Sequence, residues 1–408
     1  MSPRRFVLPC VVLSLALTAC SKGSPSADPQ PTASGSTSAP TASATATATP
    51  GPGKPTPKPT VQPTAKPTAS PTKSGLPQAT GPAPTGFQPA DFSFIGATFG
   101  WALGTDCGAS PCIAKVARTT DAGRTWHALP ALNGVKANAD DGNSVRAIRF
   151  GNQNDGWIFG PTLHATHNGG QSWKQIPTDG DVIALEQTKG TTWLVISSCQ
   201  AGGCKLSLWT APSSSDNFVM RSVIPGTDAN EKTYQLVRAG SSYGWLSGSG
   251  NGDSEILRTT DAGKTWKEVA NPCKTQGNYR QRLSRYDTQN LWLVCGTDAG
   301  ADTQVSYVYH STDAGSHWGS KNSGPKNAPF TDLQAFGATQ LGLLSTTEGL
   351  MRTTDGGITW KKVVPGNGEF GTGKVETIDF TNGWVLGFGT IHYTHDRGRT
   401  WGTYAFKS

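Results

Sequence analysis

What this chain lacks narrows the field before any of its features are counted. Its 408 residues contain no Walker loop, Cys-x-x-Cys or His-Glu-x-x-His, so the motif-borne forms of nucleotide binding, dithiol exchange and zinc proteolysis have no support. No 11-residue window carries an apolar stripe of period 3.6 free of Gly or Thr clusters, which leaves helices nowhere to form. The longest apolar run, Phe6 to Leu17, falls short of the roughly 20 residues that cross a bilayer. Between residues 21 and 86 there is no aromatic side chain, only Pro, Thr, Ser, Ala and Lys with a few others. Such a segment cannot bury enough apolar surface to offset its ordering entropy and reads as a disordered stalk. Net charge is also missing where a nucleic-acid partner would need it. Of 35 bases and 28 acids, seven bases and one acid precede residue 87, leaving 28 bases against 27 acids. No nucleic-acid partner is expected.

What is present is a repeat. A variant of Ser/Thr-x-Asp-x-Gly-x-Thr-Trp starts at Thr119, Thr166, Thr259, Ser311, Thr353 and Thr394, with turn residues Asp121, Asn168, Asp261, Asp313, Asp355 and Asp396. The motif tryptophans, Trp126, Trp173, Trp266, Trp318, Trp360 and Trp401, are 47, 93, 52, 42 and 41 residues apart, so one double step hides a unit without the motif. Seven units of about 46 residues lie in the range of propeller blades. In each turn the carboxylate can accept backbone N–H groups, the Gly supplies positive φ and the Trp buries a large ring between sheets. A second pattern runs in step: Gly100-Trp101, Gly156-Trp157, Gly244-Trp245, Leu291-Trp292 and Gly383-Trp384, with Thr192-Trp193 and Leu341-Gly342 as the equivalents in the remaining units. Period-two segments such as Val145 to Phe150 complete a four-stranded meander per unit. The fold expected is an all-β propeller of seven blades over residues 87–408.

These motifs resemble the Asp-box, or BNR, repeats shared by sialidases, sortilin-type receptors, xyloglucan-cleaving enzymes and photosystem II assembly-factor propellers. The resemblance extends from about Phe87 to the C-terminus and implies the fold; the Asp box itself is a turn device common to proteins of different activity.

The N-terminus points to export. Arg4-Arg5, the apolar run and Leu17-Thr18-Ala19-Cys20 read as a lipoprotein signal over residues 1–19 with Cys20 lipidated, followed by a stalk over residues 20–86 and then the propeller. The expected location is the extracytoplasmic face of the cell membrane. Cysteine usage agrees. Six cysteines remain beyond Cys10 and Cys20, and of their 15 connectivities only Cys107–Cys112, Cys199–Cys204 and Cys273–Cys295 keep every pair within one blade. By strand order all three bridges lie on the face that carries the incoming loops and the loops between second and third strands, with the Asp boxes on the opposite face.

No residue is assigned a catalytic role. Sialidases use six blades and an Arg-Ile-Pro segment, and neither feature is found here. Arg146, Tyr279, Arg282 and Glu376 are candidates for a ligand face on the disulfide side, with Tyr286 nearby; Asp140, Asp141, Asp228, Glu231 and Asp332 are acids placed by loop position alone. His164/His167 and His392/His395, three apart on strands, point to opposite faces and do not make metal pairs. No metal or cofactor is expected. The leading functional expectation is a non-catalytic surface propeller that binds or scaffolds an exported protein or wall glycan. The alternative is a glycoside hydrolase, which a pair of carboxylates beside an aromatic platform at the channel mouth would favour.

Overall fold

The computed structural model describes residue 82 and residues 85–407 except 108–111, 133, 138–143, 202, 227–231, 251–252, 275–279, 298–304, 327 and 366–372. Cys20 and the stalk lie outside the described residues. The described residues form one compact unit, a seven-bladed propeller of antiparallel sheets. No described helix is long and apolar enough to cross a membrane.

Each blade is a run of consecutive strands, innermost first. The inner strands are Phe87–Phe94, Ala147–Phe150, Asp181–Thr188, Thr233–Ala239, Arg280–Arg285, Phe330–Ala335 and Val375–Thr377. Blade 1 departs from the expected four strands, because Lys136–Ala137 and Ser144–Val145 add two short ones to its sheet. The second strands supply the core. Trp101, Trp157, Trp193, Trp245, Trp292 and Trp384 are buried, and Leu343 holds the corresponding place in blade 6. Each large ring lies at a seam between blades: Trp101 stacks on Phe150 of blade 2 at 3.7 Å, and Trp384 stacks on Phe94 of blade 1 at 3.6 Å. The second of these contacts closes the ring, assisted by a 2.9 Å bond from the Gly86 N–H to the Lys407 carbonyl.

The Asp boxes are built as their residue types dictate. In blade 1 the Asp121 carboxylate accepts the Thr125 N–H at 2.8 Å and the Thr119 hydroxyl at 2.8 Å, while the Gly123 N–H donates to Thr119 Oγ1 at 2.9 Å. Two successive residues have positive φ, Ala122 at 69° and Gly123 at 89°, and the other five boxes repeat this. The box also reaches across the seam. The indole N–H of Trp101 donates to Gly169 O at 3.1 Å, that of Trp245 to Ala314 O at 3.0 Å and that of Trp384 to Ala122 O at 2.9 Å. Each bond joins a second-strand Trp to the box of the next blade.

Three disulfides, Cys107–Cys112, Cys199–Cys204 and Cys273–Cys295, stiffen one end of the ring. The opposite end holds the boxes together with the loops between first and second strands, because the box N–H groups of Ala122 and Ala262 donate to Thr98 O and Ser242 O of those loops.

Candidate functional site

The inner strands enclose a channel of about 920 Å³ lined from all seven blades. Its wall is charged, and the charges are linked. Asp91 accepts Arg149 Nη1 at 2.8 Å and Lys374 Nζ at 2.7 Å. Arg149 Nε continues to Glu186 at 3.0 Å, and Lys374 lies 3.5 Å from Glu376 Oε2 while also donating to Phe92 O.

The same acids join blade to blade. Asp91 accepts the Ile148 N–H of blade 2 at 2.8 Å, Asp332 accepts the Val375 N–H of blade 7 at 2.8 Å, and Glu376 Oε1 accepts the Phe94 N–H of blade 1 at 3.2 Å. Ser93 makes a second such bond at the seam of Asp91, and Gln235 and Ser284 make the equivalent bonds at other seams. A polar side chain on one inner strand therefore satisfies an N–H that the neighbouring inner strand cannot pair within its own sheet.

Environment separates the carboxylates. Burial would raise the Asp91 carboxyl, but Lys374 and Arg149 outweigh it and hold the group below its ordinary range. At Glu376 burial prevails over the same two cations and the carboxyl is pushed up; Asp332 is raised for the same reason. Glu376 Oε2 is buried without a hydrogen bond. Among the arginines, burial lowers Arg282, which donates to the carbonyls of Thr331 and Gln281. It lowers Arg238 to about 9, over a 3.9 Å stack on Trp193.

The structure redistributes the candidates. Arg282 and Glu376 both line the channel, as does Asp332. Arg146 does not: it precedes the inner strand of blade 2 and is exposed, and Arg149, three residues on, occupies the wall. Residues three apart on a strand face opposite ways. Tyr279, Asp140, Asp141, Asp228 and Glu231 lie outside the described residues. Asp91, Lys374 and Glu186 were missed, although strand parity counted from a correct inner-strand start would have found them. Aromatic and apolar residues gather where the channel meets the box-side loops, with Tyr286 and Phe380 5.5 Å apart and Phe380 and Ile378 exposed. Among the described residues no cluster of three or more His, Cys, Asp or Glu could hold a metal ion.

Comparison with known proteins gives the same architecture. The BNR/Asp-box repeat model matches residues 351–362. The curated xyloglucanase Xgh74A of Acetivibrio thermocellus is 29% identical over 152 residues, which is 30% of this chain and only 17% of that enzyme. Among solved structures, YCF48 bound to D1 peptide superposes with a TM-score of 0.54 at 21% identity, covering 77% of this chain and 95% of that one. An ancestral GH74 enzyme superposes with a TM-score of 0.57 at 14% identity, covering 80% and 47%. The chain is thus an Asp-box-repeat propeller, similar in fold both to glycoside hydrolases and to a peptide-bound propeller. The leading expectation of a non-catalytic protein gains nothing from the enzyme relatives, which favour the alternative.

Proposed function

We propose that this propeller is a carbohydrate-active protein that takes a glycan at the box-side mouth of its channel and cleaves it with Glu376 as proton donor and Asp91 as the ionised partner. One observation carries the reading: Glu376 on the channel wall and the buried Asp91, bridged by Lys374, have their acidities shifted in opposite directions by their surroundings. That is the division of labour glycosidic hydrolysis asks for, one acid kept protonated and one carboxylate kept charged. Phe94 N–H holds Oε1 of Glu376, and Oε2 faces Lys374 at 3.5 Å. The Tyr286–Phe380 pair supplies the aromatic surface on which a sugar ring rests. The similarity to a xyloglucanase supports the same substrate class.

The full chain incubated with xyloglucan and with arabinan should release reducing ends from at least one of them. Glu376→Gln should abolish release, by about 100-fold or more, while retaining binding. Release unaffected by that substitution would refute the assignment. Binding without release by the unaltered chain would instead favour the second reading, a non-catalytic receptor, for which the blade-joining bonds of Asp91, Asp332 and Glu376 speak.

We further propose that the propeller is held at the membrane surface through a lipid on Cys20, on the strength of Leu17-Thr18-Ala19-Cys20 ahead of a polar stalk. Cys20→Ala should move the protein from washed membranes to the soluble fraction; retention would disprove the anchor.

A further inference from the structure

A second hollow adjoins the channel. It has about 400 Å³, is lined by Phe336 to Leu341 with Phe380 and Arg397, and shares Phe336 and Phe380 with the channel. Both volumes lie within the range of ligand sites.

The residue between them is held by a turn that recurs around the ring. In blade 7 the Asp379 carboxylate accepts the N–H groups of Thr381 and Asn382 at 2.7 and 2.8 Å, and the Asn382 amide closes back onto it. In blade 5 Asp287 holds Gln289 and Asn290 at 2.7 and 2.8 Å in the same way. In blade 2 Asn152 begins the turn and Asp155 ends it. The residue after the first of these is thereby presented at the rim. It is Gln153 in blade 2 and Thr288 in blade 5, both polar; in blade 7 it is Phe380, 52% exposed. Asn382 is itself tied to His395 by a 2.6 Å bond, so the turn that carries the ring is fixed before any ligand arrives, and a fixed ring loses little entropy on binding. An exposed aromatic at this place has no packing role that the polar residues of the other blades fail to fill.

We propose that Phe380 is the stacking floor of a second sugar subsite, and that the glycan passes from the channel mouth over this ring into the hollow between blades 6 and 7. The ligand is then an internal stretch of a linear chain rather than a chain end. The hollow offers Thr339, Gln340 and Arg397 among its lining residues as polar partners for sugar hydroxyls. Arg397, which lies within the Asp box of blade 7, belongs to this subsite. The inference rests on the proposed glycan-directed function and adds the length of ligand that the site reads.

Calorimetric titration of the full chain with xyloglucan- and arabinan-derived oligosaccharides of two to eight sugars tests it. The longer oligosaccharides should bind about tenfold tighter than the disaccharides. Phe380→Ala should cost the longer oligosaccharides more than the disaccharides and so remove most of that advantage, and Phe380→Tyr should retain it. Equal affinity for short and long oligosaccharides, or equal loss for both in Phe380→Ala, would overturn the subsite while leaving the channel function standing. Absence of binding at every length would overturn the glycan reading itself, and the subsite with it.

Discussion

The seam in front of blade 3 and the seams in front of blades 1, 2 and 5 solve the same joint in two ways. Where a box is present, the indole N–H of the preceding blade's second-strand Trp can donate to it, as Trp101, Trp245 and Trp384 do. Blade 3 has no box, and the indole N–H of Trp157, which faces it from blade 2, is buried without a partner. The seam is held elsewhere. His167 bridges Asp155 at 2.6 Å within blade 2 and Asp216 at 2.9 Å in blade 3, and Lys174 adds a 3.1 Å contact to Asp216. The box is therefore as much a link between blades as a turn within one, and its loss is offset by an ion-paired strap on the outside of the ring.

The largest effect should come from crowding a box that is intact. Gly263 has φ +78° and its missing Cβ would run into Leu208 of the preceding blade. Gly263→Ala should lower the unfolding free energy by about 2–4 kcal/mol, read by denaturant titration; a loss below about 1 kcal/mol would mean that the seam yields easily.

The comparison itself is tested by matched ring deletions. Trp245→Phe and Trp157→Phe remove the same volume from buried positions, but only the first deletes an indole bond to a box carbonyl, leaving Ala314 O to Arg258 Nη1 alone at 3.1 Å. Trp245→Phe should be the more destabilising by about 1 kcal/mol, and equal losses would deny the bond any part in the joint.

Acid separates the boxes from one another. Hydrogen bonds from the His317 backbone at Asp313 and the Thr359 hydroxyl at Asp355 hold both carboxyls at about 2. A carboxyl depressed below its unfolded value of about 3.9 stabilises fully above that pH, and the contribution is lost as pH falls toward 2. Asn168 makes the same turn without a charge, its amide donating to Ser172 at 2.8 Å. Asn168→Asp should steepen the loss of melting temperature between pH 4 and 2; an unchanged acid profile would show that the boxes unfold without regard to charge.

The smallest effect belongs to the strap. Burial would lower His167, but its bonds to Asp155 and Asp216 outweigh this and raise it above the ordinary imidazole value. Its contribution is present below about pH 6.5 and lost as pH rises through the folded value. With 37% of the side chain exposed, His167→Gln should cost no more than about 1 kcal/mol at pH 5.5 and less at pH 8.5. An equal cost at both would remove the charge from the account.

Much of this molecule was legible in its residues because the repeat is written in turn chemistry and buried rings, both local properties. Thr119, Asp121, Gly123 and Trp126 announce a turn at four positions within eight residues, and the six second-strand tryptophans mark the seams whatever surrounds them. The disulfides followed from strand order alone. The channel was less legible. Arg146 was taken for a wall residue because the segment from Val145 to Phe150 alternates whichever residue starts the strand, and the break at Arg146 between two short strands is decided by packing on blade 1.

The seven-fold count, the strand order within a blade and the face on which each loop emerges were determined by the sequence itself, since they depend on spacing and on residue types acting within a few positions. Which charges meet was decided only by closure of the ring. Asp91 and Lys374 are separated by almost the whole propeller in sequence and by 2.7 Å in space, and the opposed pKa shifts of Asp91 and Glu376 exist only because the last blade is laid against the first. A pairwise electrostatic environment depends on distance and burial together, and in a closed ring both are set by the final contact made.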